Sequence, residues 1–376
     1  MIQVLQTTLK SALGHLSGAT SPRSSLPVLA NVLFRVENGR LTMAATDLSK
    51  VLVLNVSAKI PDGEQWSITV PAKTIGDLAG AMVADVVELT FRENTVMLDV
   101  KCGRTKASIK GIPGDEFPAL PAAEGDWRVT VSDAPAFKTA VSRCTFAAAR
   151  DSARETLTGV LFSFGATAVD LAATDGFRLS LATLRATAPP SEKAIIVPAD
   201  TLAFLLRLMG DKGMTIILPS EHGRILFQGD DWLLSGQLIN GNYPDYTPII
   251  PKNHKTRVVV GTADMQRAVK TAGIFAKASS DTVRIEVQPG DEITPGALEI
   301  RAQSAELGDS NGRLDATADG GAIEAAFSAA YLAAALGVMD ESQTAIELTT
   351  PLEPAVLRPV GDDDFKHIIM PMHFGR

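Results

Sequence analysis

The sequence predicts an α+β fold built from three tandem copies of one domain. First, three stretches share one pattern: Val70-Pro71-Ala72-Lys73-Thr74-Ile75 running to Met82, Val197-Pro198-Ala199-Asp200-Thr201-Leu202 to Met209, and Phe327-Ser328-Ala329-Ala330-Tyr331-Leu332 to Met339. Each has Ala third, Ile or Leu sixth and Met thirteenth, at offsets of 127 and 130 residues. Second, other landmarks keep that phase. Leu41–Asp47 returns as Val169–Asp175, Val32-Leu33-Phe34 as Val160-Leu161-Phe162, and Ala12-Leu13 as Ala140-Val141 and Ala268-Val269, all at steps of 128. Third, the connectors Pro121–Arg128 and Lys252–Thr256 are short and polar without a Gly/Ser tract, so the copies are expected to hold a fixed relation. A period this long means whole domains in tandem, with expected bounds 1–122, 129–252 and 257–376. The expected arrangement is an arc of three rigid units.

Within a copy the order reads helix, strands, helix, strands. Leu5–Leu16 is rich in helix formers and stops before Gly18. Asn38-Gly39, between two alternating apolar runs, predicts a tight hairpin. In the Val-Pro-Ala pattern Pro stands at the head of a helix, where a missing N–H is harmless, and Ile75, Leu78 and Met82 fall on one face. A second hairpin is expected over Thr95–Val100 and Thr105–Ile109, and Gln288–Gly296 reads as a loop insertion in the third copy.

The 376 residues carry a net charge of −8, which alone argues against a nucleic-acid partner. The distribution argues otherwise. The first helical segments, Gln6–Ser17, Ala134–Arg150 and Ala263–Ser279, hold seven basic residues (Lys10; Lys138, Arg143, Arg150; Arg267, Lys270, Lys277) and one acid, Asp264. They carry +6 and the remainder −14, the footprint of an acidic protein with one basic lining. No apolar run is long enough to cross a bilayer, no signal peptide is visible, and the two cysteines, Cys102 and Cys144, suit reduced thiols in the cytoplasm.

Three passages resemble the bacterial sliding clamp family, the β subunit of the replicative DNA polymerase: Ala173-Thr174-Asp175-Gly176-Phe177-Arg178-Leu179, Asn242-Tyr243-Pro244-Asp245-Tyr246 and Ile368-Ile369-Met370-Pro371-Met372. The resemblance covers essentially the full length. It implies the DNA clamp fold and a head-to-tail homodimer, six domains closing a ring around double-stranded DNA with helices inside and sheets outside. It further implies a processivity factor that tethers DNA polymerase subunits and the clamp loader. On this reading binding to DNA is sequence-independent attraction to phosphate, and retention is topological. By motif position the lining includes Arg23 and Lys73; the helix charges add Lys10, Arg143, Arg150, Lys270 and Lys277. The resemblance places a peptide-binding pocket at Arg154, Leu157, Thr174, Gly176, Phe177, Arg178, Leu179, Pro244, Ile249, Ile368, Met370, Pro371 and Met372. It places the dimer interface at Ala107 and Ile109 of one subunit and Ile274 and Phe275 of the other. The chain departs from the family at Phe177, where His is common, at the His373–Arg376 ending and at the small Ala107.

An enzyme is the rival class. The five histidines, His15, His222, His254, His367 and His373, show no metal-ligand spacing, and no P-loop, GxSxG or HExxH occurs. Asp362-Asp363-Asp364 after Gly361 reads as a polar turn more readily than a cation site. No cofactor, metal or catalytic residue is expected. A monomeric scaffold that binds proteins without encircling DNA is the closer rival, and a specialised second clamp is a third possibility.

Overall fold

The computed structural model describes residues 1–83, 86–125, 127–186, 193–218, 223–290 and 295–372. His222 and the His373–Arg376 ending therefore lie outside the described residues, as does part of the Gln288–Gly296 loop. The helices are α1 (Gln6–Ser17), α2 (Ala72–Ala81), α3 (Ala134–Thr145), α4 (Ala199–Leu208), α5 (Thr262–Ala276) and α6 (Ala329–Leu336). In α1 the residues Leu9, Leu13 and Leu16, at helical spacing, face inward; in α5 Met265, Val269, Ala272 and Ala276 do the same. Pro71 caps α2, and Ile75 is fully buried with Met82 nearly so.

The third helix ends at Thr145, short of the predicted Arg150. Its continuation turns tightly, with the Ala147 and Ala148 N–H groups donating to the Cys144 and Thr145 carbonyls, and Ala149 N–H then donates to Leu157 O at 2.8 Å. The chain is thereby led out of the helix and across its own end.

Two compact units result, one of residues 1–134 and 204–238, the other of 135–203 and 239–376. The middle repeat is divided between them, and sheet pairing is the physical reason. In the first unit Trp232–Gln237 pairs antiparallel with Lys50–Val56. This joins two repeats into a nine-stranded sheet ordered Trp127–Val131, Met214–Leu218, Arg224–Gln228, Trp232–Gln237, Lys50–Val56, Arg40–Thr46, Asn31–Glu37, Trp66–Pro71, Ile112–Pro113. Asn38 and Gly39 turn its central hairpin with φ of 51° and 69°, the left-handed pair a type I′ turn requires. A four-stranded sheet of Ile2–Leu5, Val86–Arg92, Met97–Cys102 and Thr105–Lys110 completes the unit.

The second unit repeats the plan. Arg178–Arg185 pairs with Phe365–Ile369 at the centre of a nine-stranded sheet that runs from Lys193–Pro198 to Thr317–Gly320. Its four-stranded sheet is ordered Gly308–Asp315, Ala297–Ser304, Thr282–Gln288, Ile323–Ser328. Thr105–Lys110 and Gly308–Asp315 are thus edge strands of their sheets.

Candidate functional site

The Thr-Asp-Gly-Phe-Arg passage is a turn built by its own side chains. Thr174 Oγ1 donates to Arg178 O at 2.6 Å and accepts from Gly176 N–H at 3.0 Å. Asp175 Oδ1 accepts from the Phe177 and Arg178 N–H groups at 3.0 and 3.1 Å. Gly176 has φ of 94°, a value a side chain rarely adopts. The turn fixes Arg178. Its Nε donates to Asp175 Oδ2 at 2.9 Å and its guanidinium to Phe146 O at 2.6 Å. The guanidinium lies 4.3 Å from the Tyr331 ring centre and 5.3 Å from that of Phe146. Burial and the neighbouring Asp175 carboxylate push the Tyr331 hydroxyl up from its ordinary pKa.

Around this arginine lies a cleft of about 820 Å³. Five residues expected at the pocket line it: Arg154, Leu157, Gly176, Phe177 and Arg178. Phe146, Ala148, Ala149, Ala330, Tyr331 and Ala334 add an apolar wall, and Arg150 and Asp151 lie at its rim. The sequence reading missed that wall. Tyr331 was legible only as a member of the repeated pattern in the third copy, and Phe146 carried no motif signal. The arrangement suits a short apolar segment, with three arginines against two aspartates to hold its polar groups.

The other expected pocket residues fall elsewhere. Leu179 and Ile368 are a correction: they are 0% and 1% exposed and form a core cluster with Ala172 and Val356. Both faces of these strands are covered: the neighbours Ser180, His367 and Ile369 are likewise fully buried. Thr174 is buried and structural, its N–H donating to the Tyr243 hydroxyl at 3.0 Å. Pro244 and Ile249 are exposed on the segment that Tyr243 ties down. Met370 is partly exposed, its N–H donating to Phe177 O at 2.9 Å, while Met372 N–H donates to Ala326 O at 2.8 Å. Phe177 itself is 64% exposed, an unusual apolar surface for so large a ring. Pro371 lies half-buried between the two methionines.

Of the expected basic lining, Lys10, Arg23, Lys73, Arg150, Lys270 and Lys277 are exposed. Arg143 is a correction. Its side chain is 8% exposed, with one guanidinium nitrogen 2.6 Å from Asp362 Oδ2 and the other paired with Glu341. It also stacks 5.0 Å from the Phe365 ring centre. Burial opposes its charge, and the bonds from Asp362 and Glu341 outweigh that and hold its pKa above the ordinary arginine value. A guanidinium so buried, with both terminal nitrogens paired, is out of reach of a phosphate. The aspartate tract is explained by the same contacts: Asp362 binds Arg143 and Asp363 binds Arg358. Among the described residues no cluster of His, Cys, Asp or Glu could hold a metal ion.

At the expected interface Ala107 is partly exposed on the edge strand, Ile274 is 61% exposed and Phe275 is half-buried. Ile109 is a correction: at 6% exposed it packs inward and offers only its backbone to a neighbour. No helix among the described residues is long and apolar enough to cross a membrane.

Family models for the DNA polymerase III beta subunit match in succession, the N-terminal domain over residues 1–121, the central domain over 132–245 and the C-terminal domain over 247–373. The beta sliding clamp of Synechococcus elongatus is 29% identical over 373 residues, covering 98% of this chain and 97% of the relative. The solved DNA polymerase III subunit beta of Pseudomonas aeruginosa superposes with a TM-score of 0.90 at 26% identity, over 100% of both chains. The sliding clamp from the same organism bound to griselimycin gives 0.89 at 26% identity, over 99% of each. With all three family models matched in order along nearly its whole length, the chain belongs to the DNA polymerase III beta subunit family.

Proposed function

We propose that two copies of this chain close head to tail into a ring around duplex DNA, and that the cleft around Arg178 holds short peptide segments of polymerases and of the clamp loader. The chain is the non-catalytic processivity factor of the replicative polymerase, acting in the cytoplasm where that DNA lies. The ordered match to all three clamp-family domains carries this reading. Each domain is one repeat, with bounds 1–122, 129–252 and 257–376.

Two features support ring closure. Thr105–Lys110 and Gly308–Asp315 end their sheets, and an exposed edge is a template for pairing with another chain. Joining one edge to the other makes a head-to-tail contact, which two copies satisfy twice. Ala107 and the exposed Ile274 are placed at that contact. Six exposed cations, Lys10, Arg23, Lys73, Arg150, Lys270 and Lys277, supply the attraction to phosphate in a chain that is acidic overall. A weak, sequence-blind lining lets the ring slide, and topology retains it.

The test is retention on DNA after loading. The protein is expected to stay on a nicked circle and to run off a linear duplex of the same sequence; equal loss from both excludes encirclement. Gel filtration is expected to report about twice the 39.7 kDa chain mass, and a single-chain mass would favour a monomeric scaffold. Charge reversal of Lys10, Arg23 and Lys73 together is expected to shorten residence on the circle with folding intact. The dependence of log affinity on log salt should become shallower by up to about 0.9 for each phosphate contact removed. An unchanged salt slope would remove these residues from the lining.

A further inference from the structure

The turn that carries Arg178 exists a second time, in the first unit. Thr46 Oγ1 donates to Lys50 O at 2.8 Å and accepts from Leu48 N–H at 3.0 Å, and Asp47 Oδ1 accepts from Lys50 N–H at 2.8 Å. Lys50 pairs with Asp47 as Arg178 pairs with Asp175. Leu48 even takes the left-handed conformation of Gly176, with φ of 73°. The chain after the first helix matches too: Ser21 N–H donates to Leu29 O at 2.7 Å where Ala149 N–H donates to Leu157 O at 2.8 Å. The scaffold of the cleft is therefore built twice at an offset of 128 residues.

The two copies differ by an exchange of bulk across the groove. In the second unit Phe146 stands on one wall and the small Ala334 on the other, leaving the cleft open. In the first unit the matching positions are Gly18 and Phe204. Phe204 is 4% exposed and packs so closely on Gly18 that a Cβ there would lie 2.7 Å from ring atom Cε2. Lys50 Nζ sits 5.9 Å from the centre of that ring. Beside it Leu26 and Leu48, at the positions of Arg154 and Gly176, are 51% and 50% exposed. The first groove is thus filled at its floor, with Leu26 and Leu48 exposed; Arg23 stands at the position of Asp151, and the Arg207 guanidinium lies 5.8 Å from the Phe204 ring centre.

We infer that Phe204 restricts the chain to one peptide cleft by closing a second, latent one, whose ligand would be an apolar peptide because Leu26 and Leu48 stand where the open cleft has Arg154 and Gly176. This rests on the reading of the Arg178 cleft as the peptide site. The test is calorimetric titration with griselimycin, which the Pseudomonas aeruginosa clamp holds. Wild type is expected to take one molecule per chain, and Phe204→Ala two, the second more weakly. The double variant Phe146→Gly/Ala334→Phe, which copies the closed arrangement into the open cleft, is expected to lose at least tenfold in affinity. One molecule per chain in a Phe204→Ala protein that still binds the first normally would overturn the inference alone, as would undiminished binding by the double variant. No binding by wild type would overturn the reading of the Arg178 cleft and this inference with it.

Discussion

Replacing Arg143 with alanine is expected to destabilise the second unit by about 3 kcal/mol, read from the urea midpoint of its unfolding transition. The size follows from what is left behind. Asp362 and Glu341 are about a quarter exposed at 25% and 27%, so neither is freely hydrated once its cation goes. Burial raises the Asp362 pKa, and the bond and charge of Arg143 together with the Asp364 N–H and Glu341 outweigh it, giving a net depression. Removing the arginine takes away the charged part of that compensation, leaving the Asp364 N–H, and leaves two carboxylates facing each other. Arg143→Met together with Glu341→Gln and Asp362→Asn is expected to recover most of the loss, since neutral groups of similar shape carry no such penalty. A loss under about 0.5 kcal/mol for Arg143→Ala would mean the pair behaves as an ordinary surface ion pair.

The first unit supplies the contrast. His15 stands 128 residues before Arg143, and Trp232, opposite Leu54, matches Phe365, opposite Ala182. Where Arg143 fills its space, the first unit has a cleft of about 690 Å³ lined by His15, Lys212, Asp230, Asp231 and Trp232 among others. Introducing His15→Arg is expected to raise stability by about 1 kcal/mol through a charge-assisted bond in that space. An unchanged unfolding midpoint would show that the cleft does not accept a guanidinium.

Arg143 marks where the sequence stopped being readable. Repetition, hairpins and helix positions followed from Asn38-Gly39, from Pro71 and from apolar spacing, because local backbone chemistry decides them. The echo of Thr174-Asp175 at Thr46-Asp47 was legible as repetition, and the turn it builds was not. Arg143 was misread because a basic residue in the last turn of a helix looks alike whether it meets solvent or a carboxylate 219 residues away. Leu179 and Ile368 were misplaced because motif position says which strand carries a residue and not how deeply that strand is covered. The walls of the cleft, Phe146 and Ala334, were invisible since their effect depends on partners from distant segments. Internal repetition, aligned residue by residue, would have exposed the Gly18/Phe146 and Phe204/Ala334 exchange.

Acidification is expected to weaken the second unit through His367. The ring is fully buried, its Nδ1 lies 2.8 Å from Ser180 Oγ, and its Nε2 has no protein partner. Burial, assisted by the nearby Arg178 charge, pushes its pKa down to about 3. The unfolded chain takes up this proton near the ordinary value of about 6.5, while the folded chain refuses it until about pH 3. The folded state therefore keeps its full advantage above pH 6.5 and loses it progressively as pH falls toward 3, by up to about 1.4 kcal/mol per pH unit from this group. In the first unit the same cross-strand position holds Leu52 opposite Leu234, so a neutral pair suffices for the fold. Ser180→Ala/His367→Leu is expected to keep stability at pH 7.5 within about 1.5 kcal/mol of wild type and to flatten the fall between pH 6.5 and 4.5, above the range of most carboxylates. Phe146, a wall of the cleft, lies against this ring at 5.3 Å between centres; because the folded chain keeps His367 neutral down to about pH 3, ligand affinity should not change through this group between pH 6.5 and 4.5 in either protein. Parallel pH profiles of unfolding for the two proteins would clear His367 of the stability effect.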